Sequence, residues 1–296
     1  MKKIIKCPCC LNEEIIEFLK LDNNKKIIQY RNYSNIFYNG ILNTVDQDKV
    51  ILNKCLNCNH IFYKYQPSDE FLSRMYEIKE NLKKKNENKN VKAIIKKNKK
   101  LTAIIKKTSS INNGSKLFDF GAGDGSLQNI CESFKIDYYG YEPIEIRNNK
   151  IDNIKNFSDL KILKDKNLKF DIVIINQVLE HLKSPLDALN TIHSICHDKT
   201  MVYVSVPNIN RSKEKDRLFN SWPYDEKFGH HTLSPFQHLQ GFNTKSLILL
   251  MSNADFEVSK SIKTALNMNI NFIRIFFGLF LKKISTTDIL FVKKRR

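Results

Sequence analysis

Hydrophobic and polar residues form different patterns in successive parts of the chain. From residue 113 onward, short continuous apolar runs are separated by segments in which apolar residues recur at helical spacing. A continuous apolar run predicts a strand buried on both faces, and the helical segments between such runs predict crossover connections. The pattern therefore predicts an α/β fold with a mostly parallel, Rossmann-like sheet and helices on both faces. The runs are residues 117–120, 138–141, 170–176, 201–208 and 288–292.

A glycine-rich turn follows the first of these runs. Residues 117–125 read LFDFGAGDG, and Glu142 lies 21 positions after Gly121, at the end of the next apolar run. Glycines let a ligand approach the main chain without a Cβ in the way. An acidic residue at about this distance can accept hydrogen bonds from ribose hydroxyls. The spacing predicts a site for a nucleoside-bearing cofactor at the carboxyl edge of the sheet.

Two further residues narrow the class of cofactor. A dinucleotide-binding turn has its third glycine five positions after the first, and Ser126 occupies that position here. Asp119, two residues before the first glycine, would repel a pyrophosphate but attract a cofactor with an ammonium group and a sulfonium. These residues favour S-adenosylmethionine over a dinucleotide.

Two segments resemble a known enzyme family. Residues 117–125 resemble motif I of the class I S-adenosylmethionine-dependent methyltransferases. The sequence FDIVIINQVLEHLKSP, at residues 170–185, resembles the fourth strand and following loop of the ubiquinone-O-methyltransferase-like group. The resemblance covers residues 113–296 and implies a seven-stranded sheet whose last strand, at 288–292, is antiparallel to its neighbours. Residues 261–286 depart from the family pattern as an insertion before that strand.

The resemblance also implies roles for residues that follow the first four strands. The glycine turn and Asp119 would surround the methionine part of the cofactor, and Glu142 would hold its ribose. Gln177 would lie beside the methyl group, and Ser158 and Asp159 are the nearest matches to residues close to the adenine. The implied cofactor-binding residues are Asp119, Gly121, Ala122, Gly123, Gly125, Glu142, Pro143, Ser158, Asp159 and Gln177.

Three histidines are candidates for the catalytic base. Methyl transfer to a hydroxyl requires that the hydroxyl lose its proton, and histidine is the usual base near neutral pH. His181 follows the fourth strand, while His230 and His231 lie in a loop after the fifth strand that would border the crevice. For His181 the sequence leaves both catalysis and local packing open. His193, His197 and His238 fall in helical patterns, so structural or exposed positions are expected for them.

Five of the seven cysteines lie in two clusters near the start of the chain. Cys7 and Cys10, and then Cys55 and Cys58, have the CxxC spacing of zinc knuckles, which grip a tetrahedral ion with thiolates. Cys9 or His60 could replace one thiolate, and buried free cysteines are the alternative to a metal site. The 44 residues between the pairs are predicted to form a small β-rich insert with turns at 22–24 and 39–40. The segment CLNCNHIFYKYQPSDEFLSRMY resembles a zinc-binding module found ahead of this methyltransferase domain. Its Zn²⁺ would be structural, because four protein ligands leave no open position.

These observations divide the chain into a zinc-ribbon-like module at 1–68, a lysine-rich helical linker at 69–112 and a methyltransferase domain at 113–296. The formal net charge is +18, and residues 82–107 contain eleven lysines. Few aromatic residues or arginines accompany those lysines, so a solvated helix face is favoured over an RNA or membrane footprint. The chain starts without an apolar signal segment and has no run of 18 apolar residues, which predicts a cytoplasmic protein.

The function predicted from the sequence is therefore S-adenosylmethionine-dependent methylation. The expected acceptor is the hydroxyl of a small molecule, or of a nucleotide- or lipid-linked sugar in surface glycan biosynthesis. Zinc-bearing sugar C-methyltransferases carry a further large domain after the core, so O-methylation is favoured for a 296-residue chain. An RNA base methyltransferase and a non-catalytic cofactor-binding or scaffold protein are the alternatives. Residues 270–281 could cover the core, lie in a membrane interface as a peripheral contact, or form a dimer contact.

Overall fold

A computed structural model describes residues 1–85, 102, 113–123, 125–142, 155–157, 167–210, 222–225, 229–230, 232–259 and 286–294. Within these ranges the helices are α1 (Asn24–Tyr38), α2 (Asp69–Lys85), α3 (Gln128–Ser133), α4 (Pro185–Ser194) and α5 (Thr244–Asn253). The strands are β1 (Lys2–Lys3), β2 (Ile15–Lys20), β3 (Ile51–Cys55), β4 (Ile61–Tyr63), β5 (Tyr65–Gln66), β6 (Lys116–Phe120), β7 (Asp137–Tyr141), β8 (Lys155–Phe157), β9 (Phe170–Asn176), β10 (Cys196–Pro207), β11 (Tyr224–Asp225), β12 (Gly229–His230), β13 (Gln240–Gly241), β14 (Phe256–Val258) and β15 (Thr286–Lys293).

The larger sheet confirms the predicted fold class. Among the described residues it has seven strands in the order β14-β15-β10-β9-β6-β7-β8. The strands β10, β9, β6, β7 and β8 are parallel to one another. Strand β15 is antiparallel to both β10 and β14. The chain runs outward from β6 to β8 and then returns to place β9 on the other side of β6. A crevice therefore opens at the carboxyl ends of β6 and β9, where ligands bind in sheets of this kind.

Both faces of this sheet are covered, which explains why its strands are continuous apolar runs. Residues 172–175 of β9 are all fully buried. Their side chains alternate between two hydrophobic clusters: Ile172 and Ile174 pack with Leu127 and Cys131 near α3. Val173 and Ile175 pack with residues of α4 and α5 on the opposite face. Alternation across the pleat thus gives each face its own core.

A second sheet joins the cysteine-bearing segment to the carboxyl-terminal half of the chain. Its order is β13-β4-β3-β2, and the pair β13–β4 joins residues 240–241 to residues 61–62. The hydrophobic cluster that contains Cys7, Cys55 and Cys58, with Cys10 packed against it, also contains Phe118 of β6 and Phe242. The segment at 1–68 therefore packs directly on the large sheet, and the division of the chain at residues 68 and 112 stays a prediction.

The insert between the two cysteine pairs differs from the predicted β-rich structure, because its longest element is the 15-residue helix α1, which lies between β2 and β3. Asn23 caps the start of α1 by accepting a hydrogen bond from the backbone N–H of Lys26, and Asn39 ends the helix in the left-handed conformation. The polar clusters that were predicted to be turns are therefore the boundaries of a helix. The buried face of α1 consists of Tyr30, Tyr33, Ser34 and Tyr38, and such an aromatic and polar face lacks the aliphatic stripe that predicts a helix.

The predicted helical linker begins as α2, and residues 86–101 and 103–112 lie outside the described residues, as do 261–285 of the predicted insertion. In the part of the chain that the structure covers, no helix is long and apolar enough to cross a bilayer.

Candidate active site and metal centre

The glycine turn after β6 packs closely against the loop that follows β9. The N–H groups of Gly121 and Ala122 donate to the carbonyl of Tyr141 over 2.8 and 3.0 Å, which holds the turn beside the end of β7. Gly121 has φ +81°, and a Cβ at this position would lie 2.3 Å from Cγ2 of Val178. A side chain at 121 would therefore be strained and would also collide with the loop.

The carboxylate of Glu142 lies at this turn, as the spacing predicted. Its Oε2 accepts a hydrogen bond from the N–H of Gly123 over 3.0 Å. Gly123 has φ +57°, and the space that a Cβ would take there is open. An acid at the end of β7 and bare main chain at the end of β6 form a cradle that fits the ribose of a nucleoside cofactor.

Asp119 is buried in β6, with 6% of its surface exposed. Its Oδ2 accepts a hydrogen bond from the hydroxyl of Tyr138 in β7 over 3.0 Å. This contact fixes the orientation of a carboxylate that lies two residues before the turn.

Gln177 directly follows β9 and has a strained backbone, with φ +60°. Its N–H donates to the carbonyl of Ser205 over 2.8 Å, and its Nε2 lies 3.3 Å from the hydroxyl of the same residue. A left-handed conformation at a residue other than glycine costs free energy and is concentrated at functional sites. The left-handed conformation of Gln177 turns the backbone away from the sheet at the end of β9.

The short helical turn at Leu179–His181 then places Glu180 and His181 behind Gln177. Nδ1 of His181 lies 2.6 Å from the carbonyl of Gln237 and 3.1 Å from the hydroxyl of Tyr76 in α2. Burial lowers the pKa of His181 to about 4 and raises the pKa of Glu180 to about 8. Both groups are thus held in a region of low polarity next to the crevice.

His238 completes a cluster with these two residues. Its ring lies 4.5 Å from the ring of His181, centroid to centroid, at an angle of 80°. One carboxylate oxygen of Glu180 and one ring nitrogen of each histidine lie within 4.8 Å of one another. The pKa of Tyr76, whose hydroxyl contacts His181, is raised by burial and then by the charges of Tyr38, Glu180 and Glu142.

Sequence reasoning missed Glu180, His238 and Tyr76. The adjacent acid and histidine in QVLEHL are a signal that could have marked Glu180. His238 was assigned to a helix, whereas it lies in a turn after Phe236, whose φ is +60°. Tyr76 carries no local signal, because only the packing of α2 brings it to His181.

Other predicted residues lie elsewhere. His230 is in β12, which pairs with β11 through Tyr224, and Tyr224 packs on Phe37 of α1. The remaining predicted site residues, His231, Pro143, Ser158 and Asp159, lie outside the described residues.

The four cysteines of the CxxC pairs converge, as predicted. The sulfurs of Cys7 and Cys58 are 3.6 Å apart, those of Cys10 and Cys55 are 3.5 Å apart, and all four lie within 4.8 Å of one another. Four sulfurs at about 2.3 Å from a tetrahedral ion would be about 3.8 Å apart. The arrangement therefore fits a Zn²⁺ ion with four thiolate ligands.

The two cysteine turns have the same backbone geometry. The N–H of the residue after the second cysteine donates to the carbonyl of the first over 3.0 Å in both, from Leu11 to Cys7 and from Asn59 to Cys55. Leu11 and Asn59 have φ +60° and +56°. His60 is not among the ligand atoms grouped here, and its Nε2 lies 2.9 Å from Oε1 of Gln240.

Helix α5 holds the cysteine turns from both of its ends. Asn243, which caps the start of α5, donates through Nδ2 to the carbonyls of Cys58 and Asn59 over 3.0 and 2.9 Å. Asn253, at the other end, donates to the carbonyl of Cys9 over 2.9 Å. These bonds connect the cysteine cluster to a helix that packs on the large sheet.

Fold and site together define an S-adenosylmethionine-dependent methyltransferase. A sequence profile of the methyltransferase-domain family matches residues 92–261, which is more than half of the chain. The chain therefore belongs to this family of methyltransferases. No curated protein matches it.

Solved structures with a similar fold include the plantazolicin methyltransferase BpumL in complex with SAH. That structure is 15% identical over 76% of this chain and 94% of its own, with a TM-score of 0.51. The complex of BpumL with a monoazolic desmethylPZN analog and SAH is 16% identical over 73% and 90%, with a TM-score of 0.50. The complex with a pentazolic analog is 16% identical over 75% and 91%, with the same TM-score. At these identities the likeness concerns the fold alone.

Proposed function

We propose that this chain transfers a methyl group from S-adenosylmethionine to a hydroxyl of a small molecule or of a nucleotide- or lipid-linked sugar. The observation that carries the cofactor assignment is the Glu142 carboxylate, bonded to the N–H of Gly123 beside an open glycine turn. That position suits the two hydroxyls of a ribose.

The other cofactor contacts follow from this placement. Asp119 would face the ammonium of the methionine part, and Tyr138 would keep its carboxylate in position. Gln177 would border the methyl group at the end of β9. Ser158 and Asp159 are proposed to lie near the adenine, and Pro143 is proposed as a further cofactor contact. The cofactor supplies a methyl group on a positively charged sulfur, so the leaving group is already activated and the chain mainly has to align the acceptor.

The acceptor would bind where the loop after β9 meets residues 237–239. His181 is the predicted base that lies at this place, next to Glu180 and His238. His230 and His231 stay candidates for contacts with the acceptor, because loops above the crevice carry specificity. The likeness in fold to the plantazolicin methyltransferase BpumL, solved with a desmethylPZN analog, gives no further detail about the acceptor.

We also propose that the four cysteines hold one structural Zn²⁺ ion. Support comes from sulfur separations that match a tetrahedral site and from the duplicated turn geometry. With four thiolate ligands the ion would have no open position, so it would stabilise the fold and take no part in methyl transfer.

Calorimetric titration with S-adenosylmethionine tests the cofactor site. Glu142→Ala removes a charged acceptor of two ribose hydrogen bonds, each worth about 1.5 kcal/mol, so affinity should fall about 100-fold. Glu257→Ala, which removes a carboxylate from β14 at the far edge of the same sheet, is the matched control and should bind normally. Equal affinity of the Glu142→Ala variant and the wild type would remove Glu142 from the site, and no binding by the wild type would contradict the proposed function.

A further inference from the structure

Glu180 has a buried carboxylate that the cofactor site does not use. Only 1% of its surface is exposed, and within the described part of the chain both of its oxygens lack a hydrogen-bond partner. Buried polar atoms are normally hydrogen-bonded, and buried carboxylates are found paired with a cation or coordinated to a metal ion. Its position therefore calls for a ligand that a carboxylate can bind.

The two imidazoles beside it each make a contact that is usual for metal-binding histidines. A carbonyl oxygen can only accept, so the ring nitrogen that contacts it must donate. His181 donates through Nδ1 to Gln237, and His238 donates through Nδ1 to the carbonyl of Thr232. Each Nε2 then carries the lone pair, and Nδ1–H bonded to a backbone carbonyl is the usual outer contact of a metal-binding histidine.

The backbone also fixes the three ligands relative to one another. The N–H of Leu239 donates to the carbonyl of Glu180 over 2.7 Å, so the turn that carries His238 is bonded directly to the turn that carries Glu180. Gln240 extends this connection by donating through Nε2 to the carbonyl of Leu182 over 3.0 Å. The cluster is thus built on two segments that are rigidly joined.

We infer that Glu180, His181 and His238 bind a divalent transition-metal ion that activates the acceptor hydroxyl. Two imidazoles and one carboxylate are a ligand set for ions from Mn²⁺ to Zn²⁺, and three protein ligands leave open positions for an oxygen of the acceptor. This inference rests on the proposed function for its chemical role, while the metal site itself rests only on the geometry of the three side chains.

The role of the ion follows from the chemistry of the hydroxyl. A bound divalent ion lowers the pKa of a coordinated hydroxyl, and the released proton passes to solvent. The oxygen then forms a bond to the methyl carbon while the sulfur–carbon bond breaks and its electron pair stays on sulfur. In this arrangement His181 acts as a ligand, and no imidazole needs to take the proton.

The test is a titration of the full-length, zinc-loaded protein with Mn²⁺. Electron paramagnetic resonance measures the concentration of free Mn²⁺ at each step of the titration. Mn²⁺ prefers nitrogen and oxygen to thiolate ligands, so the cysteine site does not compete for it. The wild type should bind one Mn²⁺ per chain. Loss of an outer contact alone weakens metal binding about 10- to 100-fold, so loss of a ligand in Glu180→Gln or His238→Ala should weaken it at least about 100-fold.

His197→Ala is the matched control, because His197 also pairs with a carboxylate, Asp171, at 3.2 Å, but at the amino end of the strands. This variant should bind Mn²⁺ like the wild type. Glu180→Gln should still bind S-adenosylmethionine, which shows that the variant is folded. Undiminished Mn²⁺ binding by both ligand variants, or none by the wild type, would overturn the metal site.

Methyl transfer separates this inference from the proposed function. If the wild type binds Mn²⁺ but not S-adenosylmethionine, the proposed function fails and the metal site stands. If the wild type binds the cofactor and Glu180→Gln transfers methyl groups at the normal rate, the metal role fails and the proposed function stands.

Discussion

Replacing Gly121 with alanine should lower the stability of the fold for two independent reasons. The first is backbone strain, because Gly121 has φ +81° and a left-handed conformation costs an L-residue about 1–2 kcal/mol. The second is a steric clash, because the new Cβ would lie 2.3 Å from Cγ2 of Val178, and overpacking costs about 1–3 kcal/mol. The free energy of unfolding should therefore fall by about 2–5 kcal/mol.

Gly114 provides the control for strain alone. Its φ is +83°, nearly that of Gly121, and no heavy atom lies within 4 Å of a Cβ built there. Gly114→Ala should therefore cost only the backbone term, about 1–2 kcal/mol. In a Val178→Ala background the clash at 121 is relieved, so Gly121→Ala should cost about as much as Gly114→Ala.

Urea unfolding followed by far-ultraviolet circular dichroism measures these differences. The double-mutant cycle between positions 121 and 178 should give a coupling energy of about 1–3 kcal/mol, the size of the relieved clash. If Gly121→Ala costs no more than Gly114→Ala, or if the cycle shows no coupling, the close packing of the turn on the loop after β9 is wrong.

Three further predictions concern the metal centre and the cofactor site. Co²⁺-substituted wild type should show sulfur-to-cobalt charge-transfer absorption, which Cys55→Ser should weaken because it removes one of four thiolate ligands. The control Cys196→Ser should retain the full absorption, and a wild type without this absorption would contradict the thiolate site. Asn243→Ala removes a helix cap and two hydrogen bonds to the cysteine turn, so it should lower the unfolding free energy by about 2–4 kcal/mol. Asn253→Ala should cost less, about 1 kcal/mol, and equal urea midpoints for the two variants would refute the difference. Tyr138→Phe removes the hydrogen bond to Asp119 and should weaken S-adenosylmethionine binding about fivefold, near 1 kcal/mol, in a calorimetric titration where Tyr139→Phe serves as the control.

The large sheet could be predicted because its strands are buried on both faces. Continuous apolar runs such as 170–176 are the direct result of that burial, and β9 occupies this range in the structure. The position of Glu142 was also predictable, because the length of one strand–helix–strand unit fixes the distance from the glycine turn to the end of β7.

The amino-terminal segment was harder to predict for a physical reason. Helix α1 buries tyrosines and exposes Ile28 and Ile36. The spacing of its aliphatic residues therefore does not mark the face that is buried. The CxxC spacing was informative because it reflects local turn geometry, which does not depend on the rest of the fold.

The Glu180, His181 and His238 cluster could not be assembled from sequence alone. His238 is 57 residues beyond His181, and the contact depends on backbone bonds between residue 239 and residue 180. Long-range contacts of this kind leave no periodic signal in the sequence. The adjacent Glu180 and His181 could therefore indicate a site, but they could not identify His238 as the third residue.

The pairing of β13 with β4 has a consequence for how the protein folds during synthesis. Residues 60 and 240 contact each other through side chains that are 180 positions apart. The edge of β4, with the apolar sequence IFY, therefore stays unpaired until residue 241 has left the ribosome. An unpaired apolar edge is prone to aggregate, so we expect nascent chains that stall before this point to depend on chaperones.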